Sequence, residues 1–322
     1  MIIDMPSTTA YKIAKRMVDL RESHGAIALG RVLTLVLVVD EATAEPAIES
    51  ANYASHEAPC RILVVAQETP RGTGRLDAQI RVGGDAGASE VIVLRTFGDL
   101  TRHSESVVLP LLLPDAPVVA WWPGAAPAVP ADDPVGQLAN RRITDAASAK
   151  RPATALAVRA KTYHPGDTDL AWSRITGWRA LLTAALDQPP FEKVIAARVT
   201  GAPDSPSADL LAGWLALALR VPVTRAKASG VDGIVSARLD RRSGPLELSR
   251  PGDDNATLSA PGRTERRIAL PKRLDRDCLA EELRRLDPDE VYHSVLTEGL
   301  ARLRDKGRTT RTRSEAQNAA AR

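Results

Sequence analysis

The sequence predicts an α/β protein of two domains, each a mixed β-sheet flanked by helices, followed by a basic C-terminal tail. Two continuous apolar runs, 31–39 and 61–66, suit strands that are buried on both faces of a sheet. Helix-type and strand-type segments alternate along most of the chain, which is the pattern of an α/β fold. At 322 residues the chain is long enough for two domains.

The first half begins with a predicted amphipathic helix at 8–23, because Ile13, Met17 and Leu20 are spaced for one helix face. The alternating segment 76–82 follows a connection too short for a helical crossover, so we expect it to pair antiparallel. The other predicted elements of this half are strands at 31–39, 61–66, 90–95 and 117–122 and helices at 42–55 and 98–113.

The division between the domains is placed near residue 150. Seven prolines lie in the segment 110–134, which predicts an extended loop, and a short return strand at 140–145 then closes a first domain over 1–149. The second domain, 150–302, opens with a candidate strand at 154–159. A helix capped by Asp167 or Thr168 follows and extends to about 187. Further elements are helices at 207–220 and 275–286, another from 287, and strands at 193–200, 221–225, 233–239, 246–249 and 266–270.

The basic character of the chain comes from its end. The formal net charge is +3, yet residues 302–322 contain seven basic and two acidic residues, so the rest is slightly acidic. The segment 303–322 lacks large apolar side chains apart from Leu303, which predicts a disordered tail. Such a tail could touch nucleic acid nonspecifically, but a passive tail is the preferred interpretation and nucleic acid is not the expected partner.

Several function classes find no support in the sequence. No apolar run approaches the roughly 20 residues of a membrane helix, and no secretory signal is visible, so a cytoplasmic protein without membrane attachment is predicted. The histidines lack metal spacing, and Walker A, GxSxG and GxGxxG motifs are absent. Cys60 and Cys278 are expected to be buried, reduced thiols. We therefore predict no cofactor, no metal and no catalytic residue.

Two adjacent tryptophans are the most unusual feature of the chain. Trp121 and Trp122 end a predicted strand and are followed at once by Pro123. Successive strand residues point to opposite faces, so one indole can enter a core while the other needs a second layer, a ligand or a partner. If both are buried within the chain, a partner interface has to lie elsewhere.

A second aromatic group lies on the helix predicted to follow residue 168. Trp178 falls in the middle of the apolar arc of this helix and is predicted to be a core residue. Trp172 and Arg179 lie about 20° apart at the margin of that arc and about two turns apart along the helix axis. Arg174 projects into the arc, so its charge needs a carboxylate, a phosphate or a partner surface.

These segments together resemble one protein family. Leu-Pro-Asp-Ala-Pro-Val-Val-Ala-Trp-Trp-Pro at 113–123, Asn-Arg-Arg-Ile-Thr-Asp at 140–145 and Asp-Leu-Ala-Trp-Ser-Arg-Ile-Thr-Gly-Trp-Arg at 169–179 are similar to the OpcA family. Its members are called glucose-6-phosphate dehydrogenase assembly proteins. The entry Ala-Pro-Cys-Arg-Ile at 58–62 is similar too, and the resemblance extends over most of 8–300. The Arg- and Ala-rich composition resembles the actinobacterial branch.

The resemblance implies a cytoplasmic, noncatalytic protein that binds glucose-6-phosphate dehydrogenase, the first enzyme of the pentose phosphate pathway. We expect an assembly factor or allosteric activator that binds the active conformation of the dehydrogenase more tightly. The family supplies no catalytic residues, and the redox control known in cyanobacterial relatives is not carried over to Cys60 or Cys278. The residues expected to contact the partner are Trp121, Trp122, Pro123, Trp172, Arg174 and Arg179.

The alternative hypothesis is a sensor for a sugar phosphate. Arg141 and Arg142 on the return strand, with Arg174 and Arg179, could converge on a phosphate between the domains. No acid–base pair or nucleophile accompanies these arginines, so a sensor is favoured over an enzyme.

Overall fold

The computed structural model describes residues 1–23, 32–82, 90–252 and 254–303, which form two compact units. The first unit contains Met1–Ala149, Thr162–Leu170 and Leu274–Pro288; the second contains Lys150–Lys161, Ala171–Arg273 and the segment that begins at Asp289. Each unit is built on one mixed β-sheet, so the predicted fold class is confirmed. The predicted tail, apart from Leu303, lies outside the described residues.

The strands fall into an eight-stranded and a six-stranded sheet among the described residues. The first has the order β1-β4-β5-β3-β2-β6-β7-β8 and the second β10-β9-β11-β12-β13-β14. Their bounds are β1 Ile2–Met5, β2 Leu33–Val39, β3 Cys60–Gln67, β4 Arg75–Arg81, β5 Glu90–Phe97, β6 Val118–Trp121, β7 Arg141–Thr144, β8 Asp167–Asp169, β9 Ala196–Gly201, β10 Val223–Lys227, β11 Ile234–Asp240, β12 Leu246–Ser249, β13 Asn255–Ser259 and β14 Arg266–Ala269.

The α-helices of the described residues cover the sheets. They are α1 Ala10–Ser23, α2 Glu41–Ser55, α3 Ser104–Val108, α4 Pro134–Leu138, α5 Pro152–Thr162, α6 Leu170–Ser173, α7 Thr176–Leu186, α8 Pro206–Leu219, α9 Asp275–Leu283 and α10 Glu290–Ser294. A π-helical turn, Val295–Gly299, continues α10. None of the described helices combines the length and apolar character that a transmembrane span requires.

The first sheet has a separate apolar core on each face. Strand β2 is buried at every position because both faces are covered, as its continuous apolar sequence predicts. One core contains side chains of α2 and α9 together with the buried Cys60 of β3 and Cys278 of α9, and the other contains the apolar face of α1. Strands β5, β3, β2, β6, β7 and β8 run parallel, whereas β4 pairs antiparallel with both β5 and β1, which confirms the orientation predicted for 76–82.

The sheet of the second unit is covered on one face by α8. Val199, Ala237 and Leu248 are paired across β9, β11 and β12 and are buried. The opposite face carries small hydroxyl side chains that are partly exposed, at Thr200, Ser236, Ser249 and Thr257. This alternation is typical of an antiparallel sheet with one solvated face.

Two predicted elements of the second half take another form. The candidate strand at 154–159 belongs to α5, because Pro152 suits a first helical turn and the following Ala and Leu residues favour helix. The helix predicted from 167 is divided into β8, α6 and α7. Asp167 and Asp169 accept hydrogen bonds from β7 and the residues after it, and these bonds hold the segment extended beside that strand.

Candidate partner-binding residues

The tandem tryptophans lie in the two cores of the first sheet. Trp121 is the last residue of β6 and packs in the core beneath α2 and α9, whereas Trp122 packs in the core of α1. They therefore point to opposite faces, as strand alternation predicts. Each is 1% exposed, because this sheet has a covering layer on both sides. Neither indole presents a surface to a partner, so the interface proposed at this pair moves to other residues.

Trp122 supports the proline-rich segment that follows it. Its backbone N–H donates to the Ile143 carbonyl oxygen at 3.0 Å, and its ring lies against α4. A Cβ placed on Gly136 of that helix would be 1.8 Å from the Pro130 carbonyl oxygen and 3.4 Å from the ring. Only glycine therefore fits where α4 passes this carbonyl. Pro123, the third member of the motif, is half-buried.

Arg141 is engaged by a carboxylate within the first unit. Its guanidinium donates to the Glu282 carboxylate of α9 and, at 2.8 Å, to the Asp287 carbonyl oxygen. The side chains of both ion-pair partners are about as buried as the core, at 3% and 5% exposure. This contact compensates the charge of Arg141 inside the fold, as a buried charge requires.

Arg142, on the other face of β7, is engaged in the same way. Its Nε donates to Asp167 Oδ1 at 2.5 Å, and its other nitrogens donate to the carbonyl oxygens of Ala139 and Pro165 at 2.9 and 2.5 Å. Both β7 arginines thus lie in structural ion pairs. The possible phosphate-binding role of Arg141 and Arg142 gains no support from this geometry, because a carboxylate already occupies each guanidinium.

The acidic residues of β8 take part in the same set of contacts with β7 and the residues after it. Asp169 accepts hydrogen bonds from Thr144 Oγ1 at 2.7 Å and from the Ala146 N–H at 2.9 Å. Sequence reasoning did not identify Asp167, Asp169 or Glu282 as partners of the β7 region. The sequence did contain one indication: two arginines on a short strand predicted to close the domain each need a carboxylate partner if they are buried.

Trp172 and Arg179, which share one margin of the predicted helix, are in contact. The Arg179 guanidinium lies over the Trp172 ring, 3.7 Å from its centroid, although the two residues belong to different helices, α6 and α7. Trp172 is 2% exposed, its Nε1 donates to Asp289 Oδ2 at 2.8 Å, and its ring centroid is 5.8 Å from that of Tyr292. The indole is thus a fixed support beneath the half-buried Arg179.

The remaining residues of this group take different positions. Trp178 is 1% exposed and confirms the predicted core residue. Arg174 lies between α6 and α7 and is half-buried. Among the described residues, no cluster of three histidine, cysteine or acidic side chains could hold a metal ion.

The described residues define an α/β protein of two units in which the conspicuous tryptophans and the β7 arginines support the fold. Residues 51–161 match the family model described as the glucose-6-phosphate dehydrogenase subunit N-terminal domain. Residues 165–296 match the corresponding C-terminal domain. The chain therefore belongs to the OpcA family of glucose-6-phosphate dehydrogenase assembly proteins, as its motifs predict. No curated protein matches the sequence significantly.

Two solved structures show a distant likeness to the chain. One is glucose-6-phosphate 1-dehydrogenase from Mycobacterium avium, with 11% identity, coverage of 82% of this chain and 90% of the other, and a TM-score of 0.44. The other is a Gfo/Idh/MocA family oxidoreductase from Vibrio cholerae, with 10% identity, coverage of 88% and 99%, and a TM-score of 0.37. Likenesses at this level establish neither a common fold nor a common activity.

Proposed function

We propose that this chain is a noncatalytic subunit that binds glucose-6-phosphate dehydrogenase and activates it allosterically. The observation that carries the proposal is the match of both family domains, in order, over residues 51–161 and 165–296. Activation requires that the subunit bind the active conformation of the enzyme more tightly than the inactive one. The activity can rise only as far as that difference in affinity shifts the population.

The chemistry of the conspicuous side chains supports a binding role. Arg141 and Arg142 are each neutralised by a carboxylate of their own unit, and the Trp172 N–H is held by Asp289. Groups engaged in this way stabilise the fold and are not available to a substrate. This arrangement suits a protein that acts by binding.

The proposed contact residues are Pro123, Arg174 and Arg179, since each of them is partly exposed. Trp172 remains part of the proposal as the support beneath Arg179, whereas Trp121 and Trp122 belong to the two cores of the first sheet. The Arg179 Cζ lies 3.7 Å from the centroid of the Trp172 ring, and a guanidinium preorganised by such a contact loses less entropy when a partner carboxylate binds it. Arginine is also among the residues most enriched at interface hot spots.

The first test measures dehydrogenase activity on glucose 6-phosphate with and without the purified chain, using the enzyme of the same organism. We expect a saturable rise in activity and co-elution of the two proteins on a sizing column. Absence of both a complex and a change in rate would overturn the proposal. A complex without a change in rate would retain binding and remove activation.

The second test locates the contact. Arg174→Ala and Arg179→Ala are compared with Arg242→Ala, an exposed arginine on the turn between β11 and β12 of the same unit. Loss of a hydrogen-bonded charge at an interface corresponds to about ten-fold weaker binding or more. Equal affinity of all three variants would place the contact elsewhere on the surface.

A further inference from the structure

We propose that the first unit binds a phosphorylated, hydroxyl-rich small molecule in a groove of about 930 Å³. The groove lies between the start of α1, the β3–β4 connection and the residues that follow β5. Ligand sites in proteins usually measure about 300–1,000 Å³, so the size suits a metabolite. Its polar lining includes Thr8, Thr9, Thr69, Arg71, Thr73 and Arg75.

Two arginines give the groove its charge. Arg71 is exposed, and its guanidinium has no acceptor among the described residues. Arg75 is stacked on Phe97, with its Cζ 4.1 Å from the ring centroid, and its Nη2 lies 3.1 Å from Asp77 Oδ2. Arg71 therefore has its full donor set available, and Arg75 keeps donors beyond the one near Asp77. Guanidinium groups bind phosphate with two parallel hydrogen bonds, which makes this pair suited to a phosphate ester.

Hydroxyl groups form most of the remaining polar lining. Thr8 and Thr9 lie just before α1, and Thr69 and Thr73 lie in the β3–β4 connection. Ser106, which follows β5 in the chain, adds a further hydroxyl. The Thr8 Oγ1 atom is buried and has no hydrogen-bond partner among the described residues. Hydroxyls both donate and accept, so they match the hydroxyls of a sugar as well as phosphate oxygens. An apolar ligand would leave them unpaired.

The groove is fixed by backbone contacts on both sides. The Thr8 N–H donates to the Leu76 carbonyl oxygen at 2.8 Å, and the Gly98 N–H donates to the Thr69 carbonyl oxygen at 2.9 Å. At Gly98, where φ is +59°, an added Cβ would lie 2.5 Å from the Gly72 carbonyl oxygen. Glycine at this position lets the β3–β4 connection approach the end of β5 closely. Arg71 thus lies in a connection that is held by backbone hydrogen bonds near both ends, and Arg75 is the first residue of β4.

This site differs from the sugar-phosphate site that the sequence suggested. Arg141 and Arg142 are each paired with a carboxylate, whereas no carboxylate of the described residues pairs with the Arg71 guanidinium. The proposed site also does not depend on the dehydrogenase, because every lining residue belongs to the first unit of this chain.

The test is isothermal titration of the purified full chain, without the dehydrogenase, with glucose 6-phosphate, inorganic phosphate and glucose. We expect saturable binding of glucose 6-phosphate, weaker binding of inorganic phosphate and none of glucose. Arg71→Ala should weaken binding about ten-fold or more, because a charge-assisted hydrogen bond is lost. Arg16→Ala, an exposed arginine on α1 outside the groove, should bind as the wild type does.

Other outcomes separate this proposal from the proposed function. No saturable binding of either phosphate compound, or equal affinity of the wild type and Arg71→Ala, would overturn the site while leaving activation of the dehydrogenase untouched. Phosphate bound as tightly as glucose 6-phosphate would retain the anion site and overturn the sugar contacts. Thr8→Val, which removes only the unpartnered hydroxyl, serves as a second variant if Arg71→Ala shows a lower Tm.

Discussion

Arg141 and Glu282 form a buried ion pair although they lie 141 residues apart in the sequence. The pair joins β7 to α9, and the same guanidinium binds the Asp287 carbonyl oxygen after that helix. Arg141, whose charge suggested a ligand site in the sequence, therefore links distant parts of the chain within the first unit.

We predict that Glu282→Ala destabilises the protein by about 3–5 kcal/mol, because it leaves the Arg141 charge buried without a carboxylate. Urea unfolding followed by far-UV circular dichroism measures this change. Glu57→Ala removes the exposed partner of Arg284, which follows α9, and should cost less than about 1 kcal/mol. Replacing both buried partners, Arg141→Leu with Glu282→Leu, should recover part of the loss. Equal effects of the two single variants would contradict the structural role of the pair.

We predict that Gly136→Ala lowers the unfolding free energy by about 1–3 kcal/mol, the usual range for forced overpacking. The added methyl group would meet the Pro130 carbonyl oxygen at 1.8 Å, so α4 and this carbonyl have to move apart. Gly124→Ala is the control, because its Cβ would have no atom within 4 Å. The Tm values of the two variants, measured by differential scanning calorimetry, are compared. A Gly136→Ala protein as stable as Gly124→Ala would show that α4 does not pack closely against the Pro130 carbonyl.

Asp133 gives a prediction about pH. Burial raises the pKa of this N-cap carboxyl of α4, with a smaller contribution from the charge of Glu105, against the lowering effect of the Gly136 and Val135 N–H groups. A raised pKa means that stability present at low pH is lost as the pH rises through the folded-state value. Asp133→Asn retains a cap acceptor without the charge.

The Asp133→Asn variant should therefore be more stable than the wild type at pH 7, and the difference should shrink as the pH falls to the acid range. Asp133→Ala, which removes the acceptor, should instead cost about 1 kcal/mol. Thermal melts between pH 3.5 and 7, a range chosen to begin about where an ordinary aspartate titrates, provide the comparison. An Asn variant that is less stable at every pH would contradict the direction of the pKa shift.

Trp172 allows its hydrogen bond to be separated from its ring. Trp172→Phe keeps an aromatic surface beneath Arg179 but leaves the Asp289 carboxylate without its 2.8 Å donor. We predict that the unfolding free energy falls by about 1 kcal/mol, the net contribution of one hydrogen bond, because Asp289 is only half-buried. Trp172→Ala should cost about 3–5 kcal/mol, since it also creates a cavity. Chemical denaturation of both variants tests the order, and a Phe variant as damaging as Ala would show that the hydrogen bond dominates.

The local patterns of the sequence predict a large part of this fold. The continuous apolar sequences of β2 and β3 correctly predict strands that are buried on both faces. The alternation of side chains along a strand correctly predicts that Trp121 and Trp122 point to opposite faces of the sheet. Periodicity also identifies Trp178 as a core residue. In each case the information lies within a few residues of the chain.

Features that depend on distant residues could not be predicted in this way. Strand β8 contains two aspartates in three residues, and only its pairing with β7 and the Arg142 contact make an extended conformation favourable. The carboxylate that neutralises Arg141 lies on α9, and no local pattern indicates that connection. The groove combines residues from 7 to 107, so its polar lining is visible only once the fold brings them together.

The path of the chain has a practical consequence for anyone who divides this protein into pieces. The first unit takes up Thr162–Leu170 and Leu274–Pro288 after the chain has already entered the second unit. A gene fragment that stops at residue 149 would lack β8, leaving the backbone groups of β7 without their outer neighbour, and would lack α9, exposing the apolar side of α2. The two family-model segments, 51–161 and 165–296, cut across the same units. Expression of either segment alone should yield aggregated material, whereas a fragment that covers residues 1–303 retains both sheets and the helices described around them.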